Sequence, residues 1–501
     1  KADLNDGWKI VLKNQFHDIL PGSHVTEARE EAVEECAQAA AICRAAFDKA
    51  VSAIASNIEP PSPSAPAAAV FNCRPWERAD SVEIEFAARM KKFSILDSED
   101  VEVPFQVLSR GKDKTRVLIC ARGLPPMGYA TFTLSPEPGD EPSSPFSFDG
   151  RSASNSFFKI TFADDGSLDS VFDILNGREA LAPGGGNRFR IFQDKPGRYA
   201  AWDIVPMYKD LEMAMPGAES SEIEESGPVR MVVRQTRFFY RSKLTQRIIL
   251  HRDIPRIDFQ TEIDWRERDR LLKVEFPAAV NSMRATYDLS CGHIERPTHY
   301  NTSWDRAKFE VCGHQWADIS EGDYGVSLLN DCKYGHDIFG NVIRLTLLKG
   351  AQSPDPTSDL GKHEFTYSLY PHAGGWREAE TPRRAWELND PATAVALGGA
   401  AAARRRRGPA LPPQASFLSV DRSHVILMAF KAAEDGDGYI ARFCEIENKR
   451  GKTKVEFFRP VRRAVECDLM ENKTGPAAVS RGALSFDIVP FKIKTFRLFF
   501  A

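Results

Sequence analysis

The sequence lacks the marks of a membrane protein. No stretch reaches the roughly 18 to 20 uninterrupted apolar residues that a membrane-spanning helix needs, and the first residues lack the basic-then-apolar order of a signal peptide. An excess of one charge is also missing, because 66 lysines and arginines stand against 70 aspartates and glutamates, a net charge of −4. The composition therefore gives no support for a nucleic-acid or membrane partner and predicts a soluble protein.

Cysteine is scarce and has no pattern. The nine cysteines are an odd number, they are scattered through 501 residues, and no two form a Cys-x-x-Cys pair. This spacing excludes zinc-ribbon and thioredoxin motifs, and the low density does not suit a disulfide scaffold. Free thiols are typical of a reducing compartment, so we expect a cytoplasmic protein.

The length predicts about three domains. The chain begins at Lys1 rather than at a methionine, within sequence that already has helical periodicity, and we expect it to be a piece of a longer protein. Residues 24–58 contain no glycine or proline and predict one long helix, which the proline pair at 60–61 ends. A second helix is predicted over 4–16, so the first part of the chain is typical of a helical bundle.

After residue 70 the hydrophobic period changes to two. Val82, Ile84 and Phe86 alternate with glutamates, and Asp-Asp-Gly at 164–166 separates two apolar runs as in a β-hairpin. Over 256–265, apolar residues take one face, while Asp258 and three other polar residues take the solvent face. The pattern predicts a mainly β, multi-domain fold of β-sandwiches after an α-helical bundle remnant.

The predicted units follow from these changes of pattern. Residues 391–415 contain a glycine pair and the four arginines 404–407, which indicate a mobile loop rather than a nucleic-acid arm. The predicted units are a helical-bundle remnant (1–60), a small β-sandwich (66–140), a large β-supersandwich (150–390), a flexible linker (391–415) and a C-terminal small β-sandwich (416–501).

The densest polar cluster is Asn14-Gln15-Phe16-His17-Asp18, at the end of the first predicted helix. An imidazole is a good zinc ligand, and a neighbouring carboxylate can bind either a metal or a sugar hydroxyl. One His and one Asp do not complete a zinc site, which takes about three or four protein ligands. The alternative is that His17 only caps helix carbonyls.

Two segments of the β-region are further candidates. An exposed Trp202 can stack on a pyranose and Asp203 can accept its hydroxyl protons; the alternative is a core Trp beside a turn Asp. The polar segment 330–337 contains Asn330, Asp331 and Tyr334, which can face the same cleft. Its alternative is a hairpin turn whose Asn and Asp satisfy the backbone. We expect His336 and Asp337 to be structural.

Several segments resemble one known family. Asn-Gln-Phe-His-Asp-Ile-Leu-Pro-Gly-Ser at 14–23 resembles the helical-bundle motif of glycoside hydrolase family 38, the zinc-dependent retaining α-mannosidases. Five further segments resemble the same family in the same order: 70–78, 199–204, 295–304, 329–337 and 416–420. The resemblance spans nearly the whole chain and implies that the large sandwich is a galactose-mutarotase-like supersandwich. The Ala-Arg-rich run within 391–415 departs from the family pattern.

The resemblance implies specific roles. His17 is expected to be one of four Zn²⁺ ligands, and Asp18 to contact the sugar near the metal. The other ligands, the nucleophilic aspartate and the acid/base carboxylate belong to an α/β catalytic domain that precedes this region in the family and is not in this sequence. Retaining hydrolysis uses two carboxyl groups about 5 to 5.5 Å apart, and zinc positions the sugar.

These implications predict that the chain alone is inactive and binds zinc weakly. The expected partners of the complete enzyme are an α-mannosyl oligosaccharide and the catalytic domain, with homo-oligomers typical of the family. The rival hypotheses are a non-catalytic carbohydrate-binding module and a purely structural scaffold, because sandwiches of this kind also bind sugars without hydrolysing them.

Overall fold

The computed structural model describes residues 2–62, 64–88, 90, 92–137, 143–398 and 409–501. In this part of the chain the helices are α1 (Ala2–Lys13), α2 (Thr26–Ala55), α3 (Ser303–Arg306) and α4 (Thr381–Asn389), with a 3₁₀ turn at Tyr208–Leu211. None of these described helices is both long enough and apolar enough to cross a membrane. The four arginines at 404–407 lie outside the described residues.

The rest of the described chain is built from short antiparallel strands. The first strands are β1 (Ala67–Asn72), β2 (Arg78–Phe86), β3 (Ser94–Leu96), β4 (Phe105–Arg110), β5 (Thr115–Leu124) and β6 (Gly128–Ser135). The middle of the chain forms β7 (Ser147–Phe148), β8 (Ser152–Ser154), β9 (Phe158–Phe162), β10 (Leu168–Asp173), β11 (Arg178–Glu179), β12 (Arg188–Gln193), β13 (Glu212–Met213), β14 (Ser220–Ser226), β15 (Arg230–Phe239), β16 (Ser242–His251), β17 (Ile257–Trp265), β18 (Arg270–Pro277), β19 (Arg284–Leu289), β20 (Gly292–Pro297), β21 (Val311–Cys312), β22 (Trp316–Ser320), β23 (Tyr324–Asn330), β24 (Gly335–Phe339), β25 (Val342–Lys349) and β26 (Gly361–Ala373). The last strands are β27 (Thr393–Ala396), β28 (Gln414–Ser416), β29 (Leu418–Val420), β30 (Val425–Ala432), β31 (Tyr439–Glu445), β32 (Gly451–Phe457), β33 (Val461–Cys467), β34 (Lys473–Pro476), β35 (Ala478–Ser480), β36 (Ala483–Ile488) and β37 (Ile493–Phe500).

Helices α1 and α2 pack against each other as a hairpin. The buried Gly7 of α1 faces Ile42 of α2, and a Cβ added at Gly7 would lie 3.4 Å from the Ile42 side chain, an ordinary contact distance. Lys13 Nζ binds the carboxylates of Glu31 and Glu35, at 2.7 and 2.6 Å. The long helix predicted over 24–58 is confirmed as α2, with its ends two or three residues further in.

The first sandwich packs the sheet β27-β1-β6-β28, which β3 joins through β6, against the sheet β2-β5-β4. All six residues of β1 are buried because one face lies on the sandwich core and the other contacts the end of α2, where Val51, Ala55 and Ile58 meet Phe71 and Tyr129. The helical hairpin is thereby fixed to the β-region.

The supersandwich contains the largest core. A nine-stranded sheet (β14-β15-β16-β17-β26-β23-β22-β19-β20) and a six-stranded sheet (β13-β12-β18-β25-β24-β21) share this core with the five-stranded sheet β11-β10-β9-β8-β7. The hairpin predicted around 164–166 is confirmed as β9–β10, with Gly166 at φ +80° in its turn. The terminal sandwich packs β29-β32-β36-β35 against β30-β31-β37-β33-β34 around a core that includes Phe443, Phe486 and Phe496.

Two sequence predictions need correction here. The ends of the predicted linker are ordered, because residues 393–396 pair with β1 and residues 414–416 pair with β6, so the first sandwich is completed by strands distant in sequence. Asp258 does not face solvent. It is buried and accepts hydrogen bonds from Arg256 Nε at 2.7 Å and Ser368 Oγ at 2.5 Å, and His251 Nε2 lies 2.8 Å from its carboxylate. The first sandwich covers this end of the sheet, because Ser81 of β2 contacts the same His251 ring.

Candidate functional site

The segment after α1 is a compact series of turns. Asn14 is buried, and its side-chain amide donates to Ile10 O at 3.0 Å and to Glu35 Oε2 at 2.8 Å, which fixes the end of α1 on α2. Ser23 N donates to Asp18 O at 3.0 Å, and Ser23 Oγ donates to Asp18 Oδ1 at 3.3 Å. These bonds present His17 outward, with its side chain 80% exposed.

His17 and Asp18 form a pair of possible metal donors. His17 Nε2 lies 3.6 Å from Asp18 Oδ2, and the imidazole packs on the Phe16 ring at 4.3 Å between centroids. No group of three or more His, Cys, Asp or Glu side chains within the described ranges has the arrangement of a metal site. The described residues therefore supply an incomplete zinc site, since about three or four protein ligands are needed.

The Trp202 loop is exposed rather than part of the core. Trp202 is 52% exposed, and its ring meets Tyr199 edge to face at 5.8 Å between centroids. Tyr199 has φ +59°, and its carbonyl accepts from the backbone amides of Trp202 and Asp203 at 2.9 and 3.1 Å. The Asp203 carboxylate is exposed and bonds to no side chain or backbone group that the structure describes. An aromatic face and a free carboxylate are thus held side by side at the surface.

The structure brings the Trp202 loop next to the start of α2. Ala201 N donates to Ser353 O at 3.0 Å, which ties the loop to residues 353–357. Two positions further, the buried Asp355 carboxylate accepts from Thr26 Oγ1 and Arg29 Nε, both at 2.7 Å. These two hydrogen bonds lower the pKa of Asp355, outweighing its burial. Asp355 therefore joins the helical hairpin to the loop that carries Trp202, a link that sequence patterns did not reveal.

A buried polar network lies under the continuation of this loop. Asp337, expected to be structural, accepts from Tyr208 Oη and pairs with Lys209 Nζ, both at 2.8 Å. Lys273 is fully buried and pairs with Glu310. The pKa of Asp337 is lowered because the surrounding Lys273, Lys209 and Arg344 charges outweigh its burial. This network anchors residues 204–211 on the outer face of the six-stranded sheet.

The 330–337 segment does not present all its predicted contacts. Asn330 is buried, and its amide donates to His314 O at 2.9 Å and accepts from Lys333 N at 2.7 Å, so it is unavailable to a sugar. Asp331 accepts from Thr366 N at 2.8 Å. Tyr334 is exposed and packs edge to face on His314 at 5.4 Å. Asn330 and Asp331 thus bond to backbone groups as the turn alternative predicts, but the segment is not a hairpin, because β23 belongs to the nine-stranded sheet and β24 to the six-stranded sheet. Asp331 and Tyr334 are both exposed, and their sugar contacts stay predictions.

Fold and site together define a helical hairpin followed by β-sandwiches, with an exposed aromatic and carboxylate loop beside the hairpin. Three family models match this arrangement in order: the alpha mannosidase middle domain (1–54), the glycosyl hydrolases family 38 C-terminal domain (153–357) and the family 38 C-terminal beta sandwich domain (424–496). The chain therefore belongs to glycosyl hydrolase family 38, of which it carries middle-domain and C-terminal sequence.

Individual relatives agree with this placement. The chain is 31% identical to alpha-mannosidase 2C1 of Mus musculus, with 99% of this chain and 45% of that protein aligned. It is 32% identical to alpha-mannosidase G of Dictyostelium discoideum, with 99% and 48% aligned. The chain thus spans less than half the length of these relatives. In fold it is similar to the crystal structure of an alpha-mannosidase from Enterococcus faecalis V583, with a TM-score of 0.81, 16% identity and coverage of 99% and 63%.

Proposed function

We propose that this chain is the C-terminal part of a zinc-dependent retaining α-mannosidase that removes terminal α-mannosyl residues from oligosaccharides. The observation that supports this most is the juxtaposition of the Trp202 and Asp203 loop with the helical hairpin through Asp355. This contact holds an exposed aromatic ring, suited to stacking on a sugar, and a free carboxylate beside the helical hairpin that carries His17 and Asp18.

Each residue has a defined part in the proposed activity. His17, with its exposed imidazole, would hold zinc through one ring nitrogen, and Asp18 would accept a hydrogen bond from a sugar hydroxyl beside it. Zinc, when bound, supplies polarisation and orientation of sugar hydroxyls. Trp202 would cover the apolar face of the sugar and Asp203 would orient it by accepting hydroxyl protons. The nucleophile and the acid/base would come from the catalytic domain.

An apolar stripe on α1 is the proposed docking surface for that domain. Leu4, Trp8 and Leu12 follow each other at intervals of four residues, and all three are exposed, as are Phe16 and Leu20 beyond the helix. The opposite face of α1 packs on α2 at Gly7. Such a continuous apolar stripe is typical of a surface that binds another domain.

The test uses the chain alone and the chain co-expressed with a family 38 catalytic domain. We expect no turnover of an aryl α-mannoside by the chain alone, and chelator-sensitive turnover by the complex. Trp202→Ala in the complex should raise KM about tenfold, on the order of 1.4 kcal/mol of lost binding. Trp304→Ala, which removes an even more exposed ring elsewhere, should not. Chelator-sensitive turnover by the chain alone would refute the proposed division of roles.

A non-catalytic carbohydrate-binding module is the second candidate, favoured by the exposed Trp202 and the unpaired Asp203. Saturable binding of a mannose oligosaccharide to the chain alone, lost in Trp202→Ala, would support this alternative. We also propose a cytoplasmic location, since all nine cysteines are free thiols. Cell fractionation tests the location, and sedimentation of the complex tests whether it forms homo-oligomers.

A further inference from the structure

Two cysteines meet where the supersandwich contacts the terminal sandwich. Cys291 lies in the two-residue turn between β19 and β20, and Cys444 lies in β31. The Cys444 thiol donates to the backbone carbonyl of Cys291, with 3.8 Å between Cys444 Sγ and Cys291 O. Both side chains belong to one small apolar cluster, which also contains Trp76, Ile426 and Ile446.

The surrounding contacts hold the two thiols in place. His293, two residues after Cys291, is hydrogen-bonded through Nδ1 to Ile446 O at 3.0 Å, and Arg377 Nε donates to Glu447 O at 2.9 Å. Gly292 lies against the Phe491 ring, so closely that a Cβ there would be 2.5 Å from it. The β19–β20 turn therefore stays seated on the terminal sandwich, and its cysteine stays beside Cys444.

The two thiols differ in access. Cys444 is fully buried, and burial together with the neighbouring Cys291 raises its pKa to about 12. Cys291 is only half-buried. A reagent in solution therefore reaches Cys291 first, and Cys444 is positioned to react in the second step.

We propose that Cys291 and Cys444 form an oxidative modification site, at which a small-molecule disulfide such as oxidised glutathione converts the two thiols into one disulfide linking the supersandwich to the terminal sandwich. The Cys291 thiolate attacks one glutathione sulfur and expels the other as a thiolate, which leaves a mixed disulfide. The Cys444 sulfur then attacks Cys291 Sγ, which breaks the mixed disulfide, and the Cys444 proton passes to the departing glutathione thiolate, so that the second glutathione leaves as a thiol. Two protein thiols are oxidised and one glutathione disulfide is reduced to two thiols.

The test is thiol mapping on the folded full chain. After treatment with oxidised glutathione and alkylation of the remaining thiols, a tryptic digest without reductant should contain peptide 285–306 joined to peptide 443–449, and reductant should separate them. Each of these peptides contains one cysteine. Cys291→Ser should abolish the joined peptide, while Cys312→Ser, at an exposed cysteine of the same domain, should leave it unchanged.

A second measurement follows the consequence for stability. The oxidised chain should melt at a higher temperature than the reduced chain, because the link restricts separation of the two domains. Cys291→Ser should show no such difference. The proposal would be overturned if other cysteines form disulfides while Cys291 and Cys444 are recovered on separate peptides, each alkylated or bound to glutathione. An unchanged melting temperature in a sample with all chains linked would also overturn it.

Discussion

Asp355 allows the link between the helical hairpin and the supersandwich to be tested directly. Its carboxylate is 1% exposed and accepts four hydrogen bonds, from Thr26 Oγ1, Arg29 Nε, Thr357 N and Thr357 Oγ1, at 2.7 to 2.8 Å. Asp355→Ala removes the anion and leaves the Arg29 guanidinium without its buried partner. Because the Arg29 side chain is 31% exposed and water can solvate it, we expect a loss of about 1.5 to 3 kcal/mol, the range for hydrogen bonds to charged groups.

The assay is hydrogen–deuterium exchange of the α2 amides, because a multi-domain chain need not unfold in a single transition. At about 1.4 kcal/mol per factor of ten, a loss of that size should speed exchange in the first turns of α2 by roughly one to two orders of magnitude. The terminal sandwich should exchange at its original rate. Asp323→Ala, which truncates a carboxylate 89% exposed, is the matched control.

The pH dependence gives an independent check. The folded-state pKa of Asp355 lies below its unfolded value, so its stabilising effect is present above about pH 4 and is lost as the pH falls further. Protection of α2 in the original chain should therefore decrease in acid, and the Asp355→Ala variant should lack this decrease. Equal exchange rates of the α2 amides in Asp355→Ala and Asp323→Ala would refute the reasoning. The hydrogen bonds of Asp355 would then make no measurable contribution to the stability of α2.

Three further predictions concern other polar groups that are buried or partly buried. Glu445→Ala should destabilise the terminal sandwich by about 3 kcal/mol or more, because the buried carboxylate accepts hydrogen bonds from four backbone amides. Glu456→Ala, at an exposed carboxylate of the same domain, should leave the stability unchanged, and urea denaturation of both variants measures the difference. Burial raises the pKa of Asp288 to about 7, so the free energy of unfolding should fall as the pH rises from about 4 to 7. In Asp288→Asn the melting temperature should no longer decrease over this pH range, and an equal decrease in the variant would contradict the raised pKa. Tyr208→Phe should cost about 1.5 to 3 kcal/mol in the same denaturation assay, since it removes a hydroxyl that donates to the buried Asp337; no change would show that the bond is not stabilising.

The helices and many strands were predictable because their signals are local. The glycine-free, proline-free stretch before residue 60 gave α2, and the Asp-Asp-Gly turn gave the β9–β10 hairpin. The family motif at 14–23 likewise assigns roles to His17 and Asp18, and these roles stay predictions. In contrast, Asp258 was placed on the solvent face, because alternation distinguishes the two faces of a strand but does not reveal that another domain covers one of them.

The site depended more on tertiary contacts. Trp202 and Asp203 were proposed from their residue types, but their exposure and their attachment to the hairpin follow from Ser353 and Asp355, about 150 residues later. Asn330 is also a residue type that can bind a sugar, but its side-chain amide is hydrogen-bonded to the backbone groups of His314 and Lys333. Sequence pattern alone offered no means of telling these two cases apart.

By itself, then, the sequence determined the order of helices and strands, the mainly β class and the family, because each depends on local periodicity or on contiguous motifs. The tertiary structure alone decided that β27 and β28 complete the first sandwich, that Asp355 joins the hairpin to the Trp202 loop, and that Cys291 meets Cys444. The physical reason is the same in each case. These contacts join residues 150 or more positions apart, and only the packing of the sandwiches brings such residues together.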